Sequence, residues 1–161
     1  MSPAFSAALR EWPSDAAFSR LVRAFWLGAL RFAKALVRRD IQAAEANDRA
    51  LKQALLTVHA WHHHAACGTD GMMSFEQRLL SQLDDPRATL TLRRASAAVD
   101  VANGWRLLTE IVQLFGELAS ELARLHGYAY PFDVETRVLR AIDPFRRRSG
   151  LTERRPLVGS R

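Results

Sequence analysis

A single cysteine, Cys67, leaves this chain no means of forming an internal disulfide. No segment follows the charged, apolar and small-residue order of a secretory signal, so the expected compartment is the reducing cytoplasm. No apolar run approaches the ~20 residues that a membrane-spanning helix needs, and no membrane partner is expected. The sequence also holds no Gly-x-Ser-x-Gly elbow and no glycine-rich loop of the Walker or Rossmann type. Those absences exclude the strand-to-helix nucleophile and the loop-cradled phosphate. Cys67 has no recognisable orienting arrangement that would make it a nucleophile.

Excess positive charge is confined to one end. From Arg146 onward six arginines stand against Glu153 alone, which accounts for +5 of the net +6, while the preceding residues carry 17 cations against 16 anions. The body is nearly neutral, so nucleic acid is not an expected partner. Residues 147–161, with their Gly, Pro and Ser, read as a basic disordered tail. Residues 1–12 read as a lead with little pattern. The length suits one domain that buries roughly two-thirds of the surface its unfolded chain exposes.

What the chain has in quantity is helical periodicity. Between Ala97 and Pro131, Leu107, Ile111, Leu114, Leu118, Leu122 and Leu125 recur at helical spacing, with Leu108, Val112, Phe115 and Ala119 widening the stripe. This predicts a central helix that ends at His126-Gly127, after which Pro131 opens a last helix at its first position. That last helix is expected to reach about Phe145 and to pack Phe132, Val134, Val138, Leu139 and Ile142. Upstream, Ser14 caps a first helix to about Arg39, whose apolar set includes Phe18, Val22, Phe25, Trp26, Ala29, Phe32 and Leu36. Its other face carries Arg20, Arg23, Arg31, Lys34 and Arg38 in one row. Such a row is answered either by solvent and scattered carboxylates or by a phosphate-bearing or acidic partner.

Asp40 begins a second helix to about Ala66, which forms a hairpin with the first by packing Ile41, Ala44, Leu51, Leu55, Val58 and Trp61, with Glu45 and Lys52 exposed. Phe75 to Leu83 suggests a short helix. Arg87 to Ala95 reads as a further helical turn or two, with a short strand as the alternative. The fold class is all-α, an up-and-down bundle of four to six helices.

Two local features invite chemistry. His59, His63 and Cys67 fall at i, i+4 and i+8 of the second helix, soft ligands suited to zinc. Three consecutive histidines at 62–64 cannot all face one metal, however, and no fourth ligand is evident, so a His-rich polar helix end is expected and no metal site. Glu121 lies at the edge of the central stripe, where a partly desolvated carboxylate seeks a cation or a donor. Trp26, Trp61 and Trp105 suit core or rim packing, although aromatic walls beside a basic row would also suit an adenine or a sugar ring.

Taken as a set, Pro13-Ser14, Phe18, Phe25-Trp26, Lys34, Leu36, Arg38, Leu55-Leu56 and Trp61, then Trp105, Leu108, Gln113-Leu114-Phe115, Glu121, Ala123 and Tyr128-Ala129-Tyr130-Pro131, resemble in order and spacing the C-terminal helical domain of the aminoglycoside 6-adenylyltransferases, the streptomycin-modifying nucleotidyltransferases. The resemblance covers residues 13–146. It implies AMP transfer from ATP to an aminoglycoside hydroxyl, with Lys34 and Arg38 facing nucleotide phosphates and Trp61, Glu121, Tyr128 and Tyr130 bordering the antibiotic pocket. In the family a separate N-terminal domain carries a Gly-Ser motif and an Asp-x-Asp pair that holds magnesium and the triphosphate. No Asp-x-Asp occurs in this sequence, and the stretch between Cys67 and Arg87 is shorter than the family's.

The expectation is therefore a substrate-binding helical half, truncated before the catalytic domain or complemented by one in trans, and inactive without it. Magnesium and ATP are implied for the complete enzyme, and neither is expected to be held by this chain alone. The alternative is a stand-alone helical interaction module that partners a separately encoded minimal nucleotidyltransferase.

Overall fold

The computed structural model describes residues 13–67, 86–96 and 103–148. Five helices account for nearly all of them: α1 (Asp15–Arg38), α2 (Ile41–Cys67), α3 (Pro86–Ser96), α4 (Gly104–His126) and α5 (Phe132–Arg148). No strand occurs among the described residues, and the segment around Thr89–Leu92, for which a strand was the alternative, is helical. The short helix expected at Phe75–Leu83, the lead at 1–12 and most of the basic tail lie outside the described residues.

The helix ends follow from local chemistry. Ser14 accepts the Ala17 N–H on its hydroxyl at 3.2 Å and caps α1. Arg39 ends α1 in the left-handed conformation, φ 54°, with its N–H turned back to the Ala35 and Leu36 carbonyls. Asp40 then accepts the Ala43 N–H on Oδ1 at 3.0 Å and starts α2. A two-residue link thereby reverses the chain into the hairpin. Gly127, at φ 70°, closes α4 in the left-handed region that only a residue without Cβ enters at little cost. Pro131 sits immediately before α5 rather than at its first position, and its carbonyl receives the N–H groups of Val134 and Glu135. α5 continues through Pro144 to Arg148, beyond Phe145.

α1 and α4 run antiparallel, and side chains set their register. Phe18 packs against Tyr128 at one end, Phe25 stacks on Phe115 at 3.5 Å in the middle, and Leu36 closes over Gly104 at the other end. A Cβ on Gly104 would lie 2.5 Å from Leu36 Cδ2, so the glycine is what lets the two helices meet there. Gly28 similarly makes room for Leu51 of α2, whose Cδ2 would lie 3.3 Å from a Cβ there. α4 packs on α1, α2 and α3, as a central helix should, and α5 attaches to α1.

The expected apolar stripes hold for α1 and for most of α2 and α4, and fail at their edges. Ile41, Leu125, Phe132 and Leu139 are exposed. Ile41 opens α2 before the hairpin has closed, and Leu125 lies on the last turn of α4, so neither has a helix opposite it. Phe132 and Leu139 face a gap, because α5 makes little direct contact with α4 and leaves an open groove between them. Lys52 is not a fully exposed position either: its Nζ lies 2.6 Å from Oδ2 of the buried Asp48.

Candidate functional site

Lys34 and Arg38 stand on the solvent face of α1 together with Arg20, Arg23 and Arg31, all exposed. Among the described residues none of these five cations enters an ion pair; Arg23 only donates to Ser19 Oγ at 3.4 Å. Leu27, also exposed, lies within the row. The apolar arc of α1 is used up by α2, α4 and α5, and the cations take what remains.

Trp61, Glu121 and Tyr128 gather at the opposite end of the bundle. Trp61 is buried in α2, and its indole N–H has no hydrogen-bond acceptor among the described residues. Its neighbour His62 brings Nε2 to 3.2 Å from Glu121 Oε2, so an imidazole faces the carboxylate whose position calls for a cation or a donor. The Tyr128 hydroxyl donates to the Pro13 carbonyl and its ring lies 5.1 Å from Phe18, so Tyr128 also ties the start of α1 to the end of α4. Because Tyr128 is level with Phe18, and Lys34 lies sixteen residues further along α1, this cluster and Lys34 are separated by roughly 24 Å along the bundle axis at 1.5 Å per residue. The structure therefore does not bring Lys34 and Arg38 to Trp61, Glu121 and Tyr128.

Of the histidines, His59 is buried, while the side chains of His63, His64 and Cys67 lie outside the described set. No group of three or more potential metal ligands occurs among the described residues.

Tyr130 lies between the two ends, beside Trp26 and beside Glu135, a residue that had no place in the sequence reading. Its hydroxyl accepts the N–H of the fully buried Trp26 at 3.2 Å and donates to the Glu135 carboxylate. Burial, and then the negative charge of Glu135, push the Tyr130 hydroxyl far above the ordinary tyrosine range; the Trp26 N–H pulls the other way, and the bond to Glu135 adds to the rise. Glu135 rests against α4 where Gly116 has no side chain, with Oε1 3.3 Å from where a Cβ would stand. Glycine in the middle of a strong helical stripe was the one sequence signal of this close approach.

The groove between α4 and α5 opens beside this chain of hydrogen bonds. Two adjoining cavities of about 560 and 420 Å³ share Thr109, Val112 and Leu139. The larger is walled by Glu117, Glu135, Phe132 and the edge of Trp26; the smaller, toward Trp105, carries Arg140 and Arg146. One end of the groove is acidic and aromatic; the other is largely apolar, with a rim of mixed charge in which Asp143 stands beside Arg140 and Arg146.

A family model described as streptomycin adenylyltransferase matches residues 2–143. The chain belongs to the streptomycin adenylyltransferase family. No curated protein matches it.

Proposed function

We propose, with that membership as the premise, that the chain serves nucleotidyl transfer to an aminoglycoside as the substrate-binding helical part of the enzyme. In this reading Lys34 and Arg38 contact the phosphates of ATP, and Trp61, Glu121, Tyr128 and Tyr130 border the antibiotic pocket. The observation that carries it is the unpaired cationic row of α1. Five like charges on one helix face repel one another, and the described residues offer them no carboxylate; polyphosphate or an acidic surface would relieve that repulsion. Lys34 stands roughly 24 Å along the bundle axis from Tyr128, so a ligand that touches both must span that length, whereas Arg20 and Arg23 lie near the Tyr128 end of the row.

Magnesium is a different matter. The described residues provide no cluster of three ligands, and the sequence holds no Asp-x-Asp pair to hold the ion. The carboxylates that align the attacking hydroxyl and the α-phosphate would come from a catalytic domain working alongside this one.

The test is direct. The purified 161-residue chain, given magnesium, ATP and streptomycin, should release no pyrophosphate, yet should bind ATP, and Lys34→Ala or Arg38→Ala should weaken that binding. Sustained pyrophosphate release would overturn the division of labour, and unchanged ATP affinity in both variants would overturn the assignment of the row. A second reading, an interaction module for a separately encoded minimal nucleotidyltransferase, is favoured by Leu27 exposed amid the cations, since a mixed apolar and charged strip suits a protein surface. The neighbouring reading frame separates the two: a Gly-Ser and Asp-x-Asp domain beside it supports the first, an unrelated small nucleotidyltransferase the second.

A further inference from the structure

We propose that the groove between α4 and α5 is the docking surface for the segment of this chain that follows α5, with Leu151, Glu153, Arg155 and Leu157 laid along it in that order. No described residue covers the groove: α5 stands off α4, and Phe132 and Leu139, 63% and 40% exposed, face the gap. The lining changes character along its length. Trp105, Leu108 and Ile142 make the end nearest Arg148 apolar, Arg140 follows on the rim, Glu135 and Glu117 come next from opposite helices, and Phe132 closes the far end. Among the described residues Arg140, Glu117 and Glu135 enter no ion pair.

The sequence after Arg148 carries complementary groups at matching intervals. In an extended chain alternate side chains share one side, about 6.6 Å apart along the strand, and positions 151, 153, 155 and 157 are leucine, glutamate, arginine and leucine. Ser149-Gly150 suits a reversal at the end of α5, because glycine adopts turn conformations without a Cβ penalty. Running back along α5, each step of two extended residues retraces about four to five helical residues at 1.5 Å each. Leu151 then comes over the apolar end near Asp143 and Pro144, Glu153 level with Arg140, Arg155 level with Thr136 and Glu135, and Leu157 level with Phe132. Apolar meets apolar, and each charge meets its opposite. A short tether also holds the segment at an effective concentration of about millimolar, so contacts too weak to retain a free peptide suffice to seat this one.

The docking involves neither nucleotide nor aminoglycoside, so it stands apart from the transfer reading and is tested without turnover. In the full chain, isotope-labelled at the leucine methyls, nuclear Overhauser contacts should link Leu151 to the Trp105 ring and Leu157 to the Phe132 ring. Arg155→Glu should weaken both several-fold, and raised salt should weaken them as well. Arg154→Glu, on the outward side of the extended segment, should leave them unchanged. Absence of these contacts in the unmodified chain, or equal loss in the Arg154 and Arg155 variants, would overturn the proposal. Contacts to Trp105 and Phe132 from residues 1–12 or 97–102 in their place, or contacts seen only between differently labelled copies, would give the groove another occupant and overturn it too.

Discussion

The indole N–H of Trp26 donates to the hydroxyl of Tyr130 across 3.2 Å, joining two residues 104 positions apart in the chain. Trp26 is fully buried on α1, and Tyr130 sits in the corner that connects α4 to α5. That bond ties the corner before α5 to α1. Tyr130→Phe should leave a buried indole donor unpaired and remove the donor to Glu135, at a cost of about 1–3 kcal/mol. Urea denaturation of the two proteins measures it; a loss below about 0.5 kcal/mol would mean that water replaces the hydroxyl.

The same residue sets an alkaline limit. The folded protein keeps the Tyr130 proton at pH values where the unfolded chain, with an ordinary tyrosine near 10, releases it. The stabilisation is therefore complete below pH ~10 and is lost as pH rises beyond it, because unfolding then releases a proton. Wild-type stability should fall more steeply than that of Tyr130→Phe above that pH, and parallel slopes would refute the relay.

Asp48 and Lys52 form a pair inside α2 with both side chains nearly buried, Nζ to Oδ2 at 2.6 Å. Burial raises the Asp48 pKa, while the hydrogen bond and charge of Lys52 lower it. Lys52→Met strands a buried carboxylate and should cost about 3 kcal/mol, more than Asp48→Asn. Since a raised carboxylate pKa means stability present at low pH and lost as pH rises, the Lys52→Met protein should recover part of its deficit as pH falls into the acidic range. Thermal melts at a series of pH values decide this.

The cationic row should matter for binding and not for folding. Exposed cations without partners contribute little to stability, so Lys34→Ala and Arg38→Ala should shift unfolding by no more than about 0.5 kcal/mol. Their exposure excludes a buried ion pair that would make them structural. A fall in affinity for nucleotide, or for a complementing catalytic domain, that fades as salt rises would mark them as contact residues.

Spacing alone was enough to place α1, α2 and α4 and to name most of their buried residues, because a helix repeats every 3.6 residues whatever surrounds it. Ser14, Asp40 and Gly127 likewise declared the helix ends, since capping is local chemistry. The same periodicity misassigned Ile41, Leu125, Phe132 and Leu139: a stripe says which residues share a face, and not whether another helix covers it. Lys34 and Arg38 were legible as an exposed row, whereas the Trp26–Tyr130–Glu135 relay was not, because no pattern within any one helix relates those three positions.

The order of residues by itself determined an all-helical chain, its caps, its cationic face and its likeness to the streptomycin adenylyltransferases, all of which depend on contacts within a few residues or on the composition of a single face. Only the tertiary structure decided that α5 leans on α1 and stands off α4, that His62 meets Glu121, and that two carboxylates share a groove over Trp26. Those relations depend on the register and splay of helices packed against one another, set by the volumes of Phe25, Phe115 and Leu36 and by the gaps left at Gly104 and Gly116. Packing of this kind is a property of several segments at once, and no single stretch of sequence contains it.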